Sequence, residues 1–351
     1  MYSKSDNKGL PLRYKLFFVM TLTFLLALPA FFLSQSNDLY VSPSGNDSTD
    51  CSFLTPCQTF WQAENLAQPG DVIHLLEGNY NEVYDAYKSG NANAPIIITG
   101  NNAVVKSLLI SGDYIIVKNI EVTGAEYHGI ITKGRHIIIQ DTVVHHNVTD
   151  NGYGSICNTQ NNIDGGWGSG IKVERGSENI IIKNNLVYEN CGEGIAATMG
   201  EYVSIIDNIS RDNFSVNIYV DNSSFTTVLR NKVICTGEGY LRDGRRATGI
   251  AIGEEVYEGW GAQRHDNHIL ENTVDGCYEG ISSWKSKVPE GIEKNLDIKD
   301  NIVTNGTYQS ISLYWVNQNV KIEGNTVDTP IFIENQGGTV LSNNIVKESE
   351  N

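Results

Sequence analysis

The amino-acid sequence predicts an all-β chain wound as one long solenoid, and three observations predict it. Seven asparagines, Asn185, Asn208, Asn231, Asn272, Asn301, Asn325 and Asn344, each stand in a frame of the form apolar-x-apolar-x-x-Asn-x-apolar. The gaps between them are 23, 23, 41, 29, 24 and 19 residues, the range of stacked structural repeats. Within each frame the apolar residues alternate with others, as in NLDIKDNIV at 295–303 and NVKIEGNTV at 319–327, the period of strands buried on one face. The composition agrees: 34 glycines and many Asn, Ile, Val and Thr suit short strands and tight turns.

The asparagines have a physical reason to recur. Asn tolerates the left-handed backbone of a sharp bend, and coils stacked about 4.8 Å apart let an inward amide bond to the amides above and below. The expected role of all seven is structural. A solenoid grows by adding coils, so residues from about 37 to 351 are read as one domain.

In chain order, the first element is an uncharged stretch, Leu16 to Leu33, preceded by Lys4, Lys8, Arg13 and Lys15 and followed by the small residues of Ser34-Gln35-Ser36. Residues 1–36 read as a secretory signal peptide or, if uncleaved, as a membrane anchor. Either places the rest of the chain, as a monomer, outside the cytoplasm. A formal net charge of −16 repels phosphate backbones and excludes nucleic acid as a partner. Six cysteines suit an oxidising compartment. Proximity pairs Cys51 with Cys57, and the repeat frame places Cys157 beside Cys191 and Cys235 beside Cys277 on neighbouring coils. Sequons stand at Asn46, Asn147, Asn208, Asn213, Asn222 and Asn305, of which Asn208 belongs to the ladder.

A short strand near residue 39 and a Cys-rich loop lead to a helix from about Thr59 to Ala67, closed by Pro69-Gly70 before a strand at Asp71–Leu76. Phe60, Ala63 and Leu66 form its apolar stripe. Such a helix caps the first coil, whose strand edges would otherwise be open. The run Tyr40-Val-Ser-Pro-Ser-Gly-Asn-Asp47, then Pro56-Cys-Gln-Thr-Phe60, then Ala67-Gln-Pro-Gly-Asp-Val-Ile73 and Glu77-Gly-Asn-Tyr80 resembles the opening of secreted proteins of the pectin-lyase-like superfamily. The resemblance extends over nearly all of residues 39–346. It implies a single-stranded right-handed parallel β-helix with an N-terminal capping helix. It leaves the activity open, since that superfamily holds lyases, epimerases, glycoside hydrolases and adhesins.

A second register locates the face of interest. Each coil carries a small residue before an Ile: Gly129-Ile130, Gly170-Ile171, Gly194-Ile195, Asn217-Ile218, Gly249-Ile250, Gly280-Ile281 and Ser310-Ile311. Spacings that exceed the regular coil mark insertions at about 145–168 and 235–248 before this row and at 254–267 and 284–294 after it. Loops on both margins wall a cleft whose floor is the strand row between them. With the Ile inward, alternation turns outward Lys172, Ala196, Tyr219, Ala251, Ser282 and Ser312, and two residues on Glu174, Thr198, Asp221, Gly253, Trp284 and Tyr314. The glycines are expected to let a ligand approach the backbone.

Tyr219, Trp284 and Tyr314, with Trp167 and Trp260 on the walls, suit stacking against sugar rings, so the expected partner is a polysaccharide. Two reactions fit such a face. In a lyase, Lys172 takes the proton α to a uronate carboxylate, Glu174 and Asp221 hold Ca²⁺, and Arg175 or Arg242, Arg245 and Arg246 neutralise charge. In a hydrolase, Asp221 acts with Glu254 or Glu255. The chain lacks the Asp-Pro-His-Asp of alginate epimerases, the Gly-His-Gly of polygalacturonases and the Asp-Gly-Phe-Ala-Ala-Lys of Lys-using pectate lyases; Gly168-Ser-Gly-Ile-Lys172 is its nearest piece to the last. The histidines around 145–146 and 265–268 do not have zinc-site spacing. The expectation is an exported protein that binds a carbohydrate polymer laterally and cleaves or epimerises it, with a hydrolase or a non-catalytic adhesion protein as alternatives.

Overall fold

The computed structural model describes residues 37–152, 157, 168–255, 265–285, 292–314, 316–334 and 337–347. The chain divides into two units, Met1–Gln35 and Ser36–Asn351, and the first, with the expected leader, lies outside the described residues. No helix among the described residues is long and apolar enough to cross a membrane.

Each regular coil contributes three strands. The coil at 178–198 runs Glu178–Lys183, Leu186–Tyr188 and Glu193–Thr198; the next repeats it at Glu201–Ile206, Ile209–Arg211 and Val216–Asp221. Every strand pairs in parallel with its counterpart one coil away: Ile180 with Val203, Leu186 with Ile209, and Ile195 with Ile218. The first strands of the coils stack into a 12-stranded sheet, and the second and third rows join in a 19-stranded sheet. Because each strand has one face inward, alternate residues fill the shaft. Ile130, Ile171, Ile195, Ile218, Ile250, Ile281 and Ile311 are all fully buried and in register. Each such side chain withdrawn from water stabilises the fold by roughly 1.5–3 kcal/mol.

The asparagine ladder forms as a continuous chain of amides. Asn185 Nδ2 donates to Asn208 Oδ1 at 2.9 Å, Asn208 to Asn231 at 3.0 Å, Asn231 to Asn272 at 3.0 Å, and the series continues through Asn301 and Asn325 to Asn344. Each Nδ2 also reaches a carbonyl of a preceding coil, as Asn231 does to Ile205 O at 2.8 Å. The left-handed residue is not the ladder asparagine but the one before it: Asn184, Asp207, Arg230, Glu271, Asp300, Gly324 and Asn343 all have positive φ. That bend turns the following amide into the core. A second ladder, not read from the sequence, runs from Asn147 through Asn190 and Asn213 to Asn217. Its signal was present: Asn147, Asn190 and Asn213 each lie five residues after Thr142, Asn185 and Asn208. The sequons at Asn147, Asn208, Asn213 and Asn222 are therefore buried, and carry no room for a glycan.

The capping helix spans Phe60–Leu66, with the Thr59 hydroxyl accepting from Gln62 N as its N-cap. Phe60 and Ala63 are buried, and Phe60 stacks on Tyr84 of the strand Gly78–Ala86. Leu66 is exposed, and Glu64, fully buried, takes the inward place instead. The three expected disulfides, Cys51–Cys57, Cys157–Cys191 and Cys235–Cys277, are formed, as befits a protein matured in an oxidising compartment.

Candidate functional site

The candidate site lies along the Gly-Ile strand row, whose local geometry departs from simple alternation. The missing Cβ of each glycine faces inward. At Gly170 it would stand 2.8 Å from Asn190 Nδ2, and at Gly194 it would stand 2.6 Å from both Asn213 Nδ2 and Ser210 Oγ. These glycines thus make room for the second asparagine ladder rather than for a ligand. The residue before each glycine, and Val216 before Asn217, consequently turns outward, which brings Ser169, Glu193, Val216, Thr248 and Glu279 onto the row. This set was missed in the sequence, although Glu193-Gly-Ile and Glu279-Gly-Ile both show it once the kink is known.

A cavity of about 240 Å³ lies over this row. Glu193, Tyr219, Ala251, Glu255, Glu279 and Ser282 line it, with Arg242 on the wall formed by residues 235–248. Of the outward row read from the sequence, Tyr219, Ala251 and Ser282 do face the cavity. Tyr219 is only 3% exposed, however, so it is a recessed floor and not an open stacking platform. Its ring runs over Gly253, where a Cβ would overlap the Tyr219 hydroxyl, and that hydroxyl donates to Glu255 Oε1 at 3.0 Å. Glu255 is fixed in turn: its N–H donates to Asn222 Oδ1 at 2.7 Å, and Asn222 Nδ2 donates to Glu255 O. Tyr314 is half-buried and donates to Glu279 Oε1 at 2.9 Å, while Ser312 donates to the same oxygen at 3.0 Å. Burial, with Glu279 beside it, raises the Tyr314 phenol, which stays a neutral donor.

Lys172 and Glu193 form an ion pair on the row. Lys172 Nζ stands 3.9 Å from Glu193 Oε2, and both side chains are largely buried. The Ser169 hydroxyl donates to the same Oε2 at 2.7 Å. Burial pushes the Glu193 carboxyl above its ordinary range, opposed by Lys172 and Ser169 and reinforced by Glu255. One rung earlier, His128 Nδ1 accepts from Ser169 N at 3.1 Å. Burial, Lys172 and Lys133 push His128 down to about 3, so it is a neutral imidazole at ordinary pH.

Other sequence-predicted residues lie elsewhere. Asp221 and Glu254 are at most 1% exposed and do not line the cavity; Glu254 follows Gly253, where alternation turns it inward. Glu255 alone of that pair reaches the cleft. Glu174 and Asp221 stand two rungs apart with Thr198 between them, and no group of three or more His, Cys, Asp or Glu among the described residues could hold a metal ion. Trp167, Trp260 and the side chain of Trp284 lie outside the described residues, although the Trp284 backbone pairs with Gly253.

A family model described as right handed beta helix region matches residues 106–254 and 159–327, and the chain belongs to that family. Pectate lyase L of Dickeya dadantii (strain 3937) is 29% identical over 139 residues, covering 33% of this chain and 33% of that protein. The chain thus matches about a third of the length of that relative. Among solved structures, pectate lyase Pel9A superposes with a TM-score of 0.52 at 17% identity, covering 89% of this chain and 79% of the other. The GH136 lacto-N-biosidase from Eubacterium ramulus superposes at 0.59 with 13% identity, covering 90% and 68%. Both likenesses are of fold.

Proposed function

We propose that this is an exported polysaccharide lyase whose reacting sugar sits in the cavity over the Gly-Ile row. The observation that carries the reading is the buried Lys172–Glu193 pair at its edge, 3.9 Å apart, with Glu193 pushed toward its protonated form. The similarity to pectate lyase L supports the same class. In the proposed step Lys172 acts as the base and takes the proton from the carbon α to a uronate carboxylate. The C–H electron pair becomes a C=C bond as the C–O bond to the leaving sugar breaks, and Glu193 gives its proton to the departing oxygen. Arg242 offsets the charge that develops on the carboxylate. The Lys172 ammonium then faces the Glu193 carboxylate, and one proton transfer between them restores the starting state. Ca²⁺ is given no chemical step; for a uronate chain it would offset repulsion by a protein of charge −16.

A hydrolase is the second reading, favoured by Glu193, Glu255 and Glu279 sharing one cavity, since hydrolysis needs one carboxyl as acid and another as base or nucleophile and burial pushes Glu193 toward the acid form. The test incubates the purified protein with uronate and neutral polysaccharides, with and without Ca²⁺. A lyase produces unsaturated ends that absorb in the ultraviolet, and Lys172→Gln and Glu193→Gln each lower the rate by about 100-fold or more. A hydrolase produces reducing ends without that absorbance, and survives Lys172→Gln but not Glu193→Gln. Absence of any product over the whole panel would leave only a binding or adhesion role.

A further inference from the structure

The 235–248 insertion walls the first cavity and also builds a second. Its tip is a two-residue turn. Arg242 and Arg245 exchange both backbone hydrogen bonds at 2.9 Å, and Asp243 and Gly244 between them have φ of 50° and 75°. That is the hairpin geometry an Asp-Gly pair favours. Its base is tied by Cys235–Cys277 and by Tyr278 N donating to Ala247 O at 3.0 Å. The turn therefore offers its side chains from a fixed backbone.

Three of the nine arginines of this acidic chain stand within these five residues. Arg242 lines the first cavity, while Arg245 and Arg246 line the second, of about 520 Å³, together with Tyr278 and the carboxylate of Glu238. The Arg245 guanidinium lies over the Tyr278 ring, 5.2 Å from its centre. Tyr278 stacks on Tyr308 at 5.1 Å and 7°, and Tyr308 is 54% exposed. Arg246 Nη1 donates to Gly276 O at 3.2 Å, and neither Arg245 nor Arg246 is ion-paired among the described residues. Guanidinium groups positioned by a ring and a carbonyl, rather than by carboxylates, keep their charge for a ligand.

We infer that this second cavity is a subsite for an anionic sugar unit, binding a carboxylate or sulfate on the same polymer whose reacting unit occupies the first cavity. The turn borders both cavities, so a chain crossing it meets Arg242 and then Arg245 and Arg246. This inference rests on the proposal that a carbohydrate polymer occupies the first cavity. The test measures affinities of the purified full chain and of its Arg245→Gln/Arg246→Gln variant by calorimetry. The probes are oligomers of polygalacturonate and of alginate, dextran sulfate, and carboxyl-reduced polygalacturonate.

The native protein should bind at least one charged polymer about tenfold or more tightly than the reduced one. The double variant should lose about 10- to 100-fold on that polymer, the worth of charge-assisted contacts, and keep its affinity for the reduced one. Arg245→Lys/Arg246→Lys should recover part of the loss, which a purely structural role of the turn would not do. Whether uronates or dextran sulfate show the effect identifies the anion. Equal native affinity for charged and reduced polymers, or an unchanged double variant, overturns the subsite while leaving the polymer reading intact; failure of the native protein to bind any probe overturns both.

Discussion

At the scale of single residues, the molecule separates groups that hold the shaft from groups that face the cleft. Asn231 shows the first kind. Its Oδ1 accepts from both Asn208 N and Nδ2, and its Nδ2 donates to Ile205 O and Asn272 Oδ1. Asn231→Ala removes the partners of several buried polar atoms at once, so chemical denaturation should show a loss of about 3 kcal/mol or more. Glu193 shows the second kind. Since burial raises its carboxyl, the acid form persists above the ordinary carboxylate range and is lost only as pH rises through the elevated value. Activity that needs the Glu193 proton should therefore decline on the alkaline side, with the limb absent from whatever rate Glu193→Gln retains. Residue-level reading of the sequence found Lys172, Tyr219 and Arg242, but it missed Glu193 and Glu279. Alternation was applied straight through the Gly-Ile pair, where the chain kinks.

At the scale of elements, the capping helix is the clearest case. Its span, the inward Phe60 and Ala63 and the Pro69-Gly70 breaker were legible, because those are local signals. The inward place of Glu64 was not, because it depends on the strand beneath. Glu64 Oε1 accepts from Lys88 N at 2.6 Å, while Oε2 is buried without a hydrogen-bond partner. Burial raises its pKa from 4.5 to about 7. The sign of the linkage follows: between about 4.5 and 7 the folded state holds a proton that the unfolded chain has released, so stability falls as pH rises through that window. The shift corresponds to a loss of about 3 kcal/mol. Urea unfolding at pH 5 and pH 8 should show this loss, and Glu64→Gln should remove most of it.

At the scale of the whole molecule, the solenoid is held by contacts between neighbouring coils, so its ends decide its solubility. The strand Asp38–Val41 pairs with Val72–Leu75, and the helix covers buried Phe60 and Ala63 beside them. Deleting residues 37–67 would expose the edge at Val72–Leu75 and its inward Ile73 and Leu75. The truncated protein should elute as oligomers in size-exclusion chromatography, where the intact one should elute as a monomer.

Sequence alone determined the class of fold, its coil spacing, its disulfide pairing and the register of the Gly-Ile strand row. All of these depend on periodicity, which a chain displays along its own length. Tertiary structure decided which side chains meet in the cleft. Gly170 and Gly194 admit asparagines of the second ladder, Asn190 and Asn213, while Gly249 and Gly280 admit Val274 and Val303, and these contacts join residues about 20 to 25 apart. Only when the coils are stacked does the kink appear, bringing Glu193 and Glu279 to the cavity.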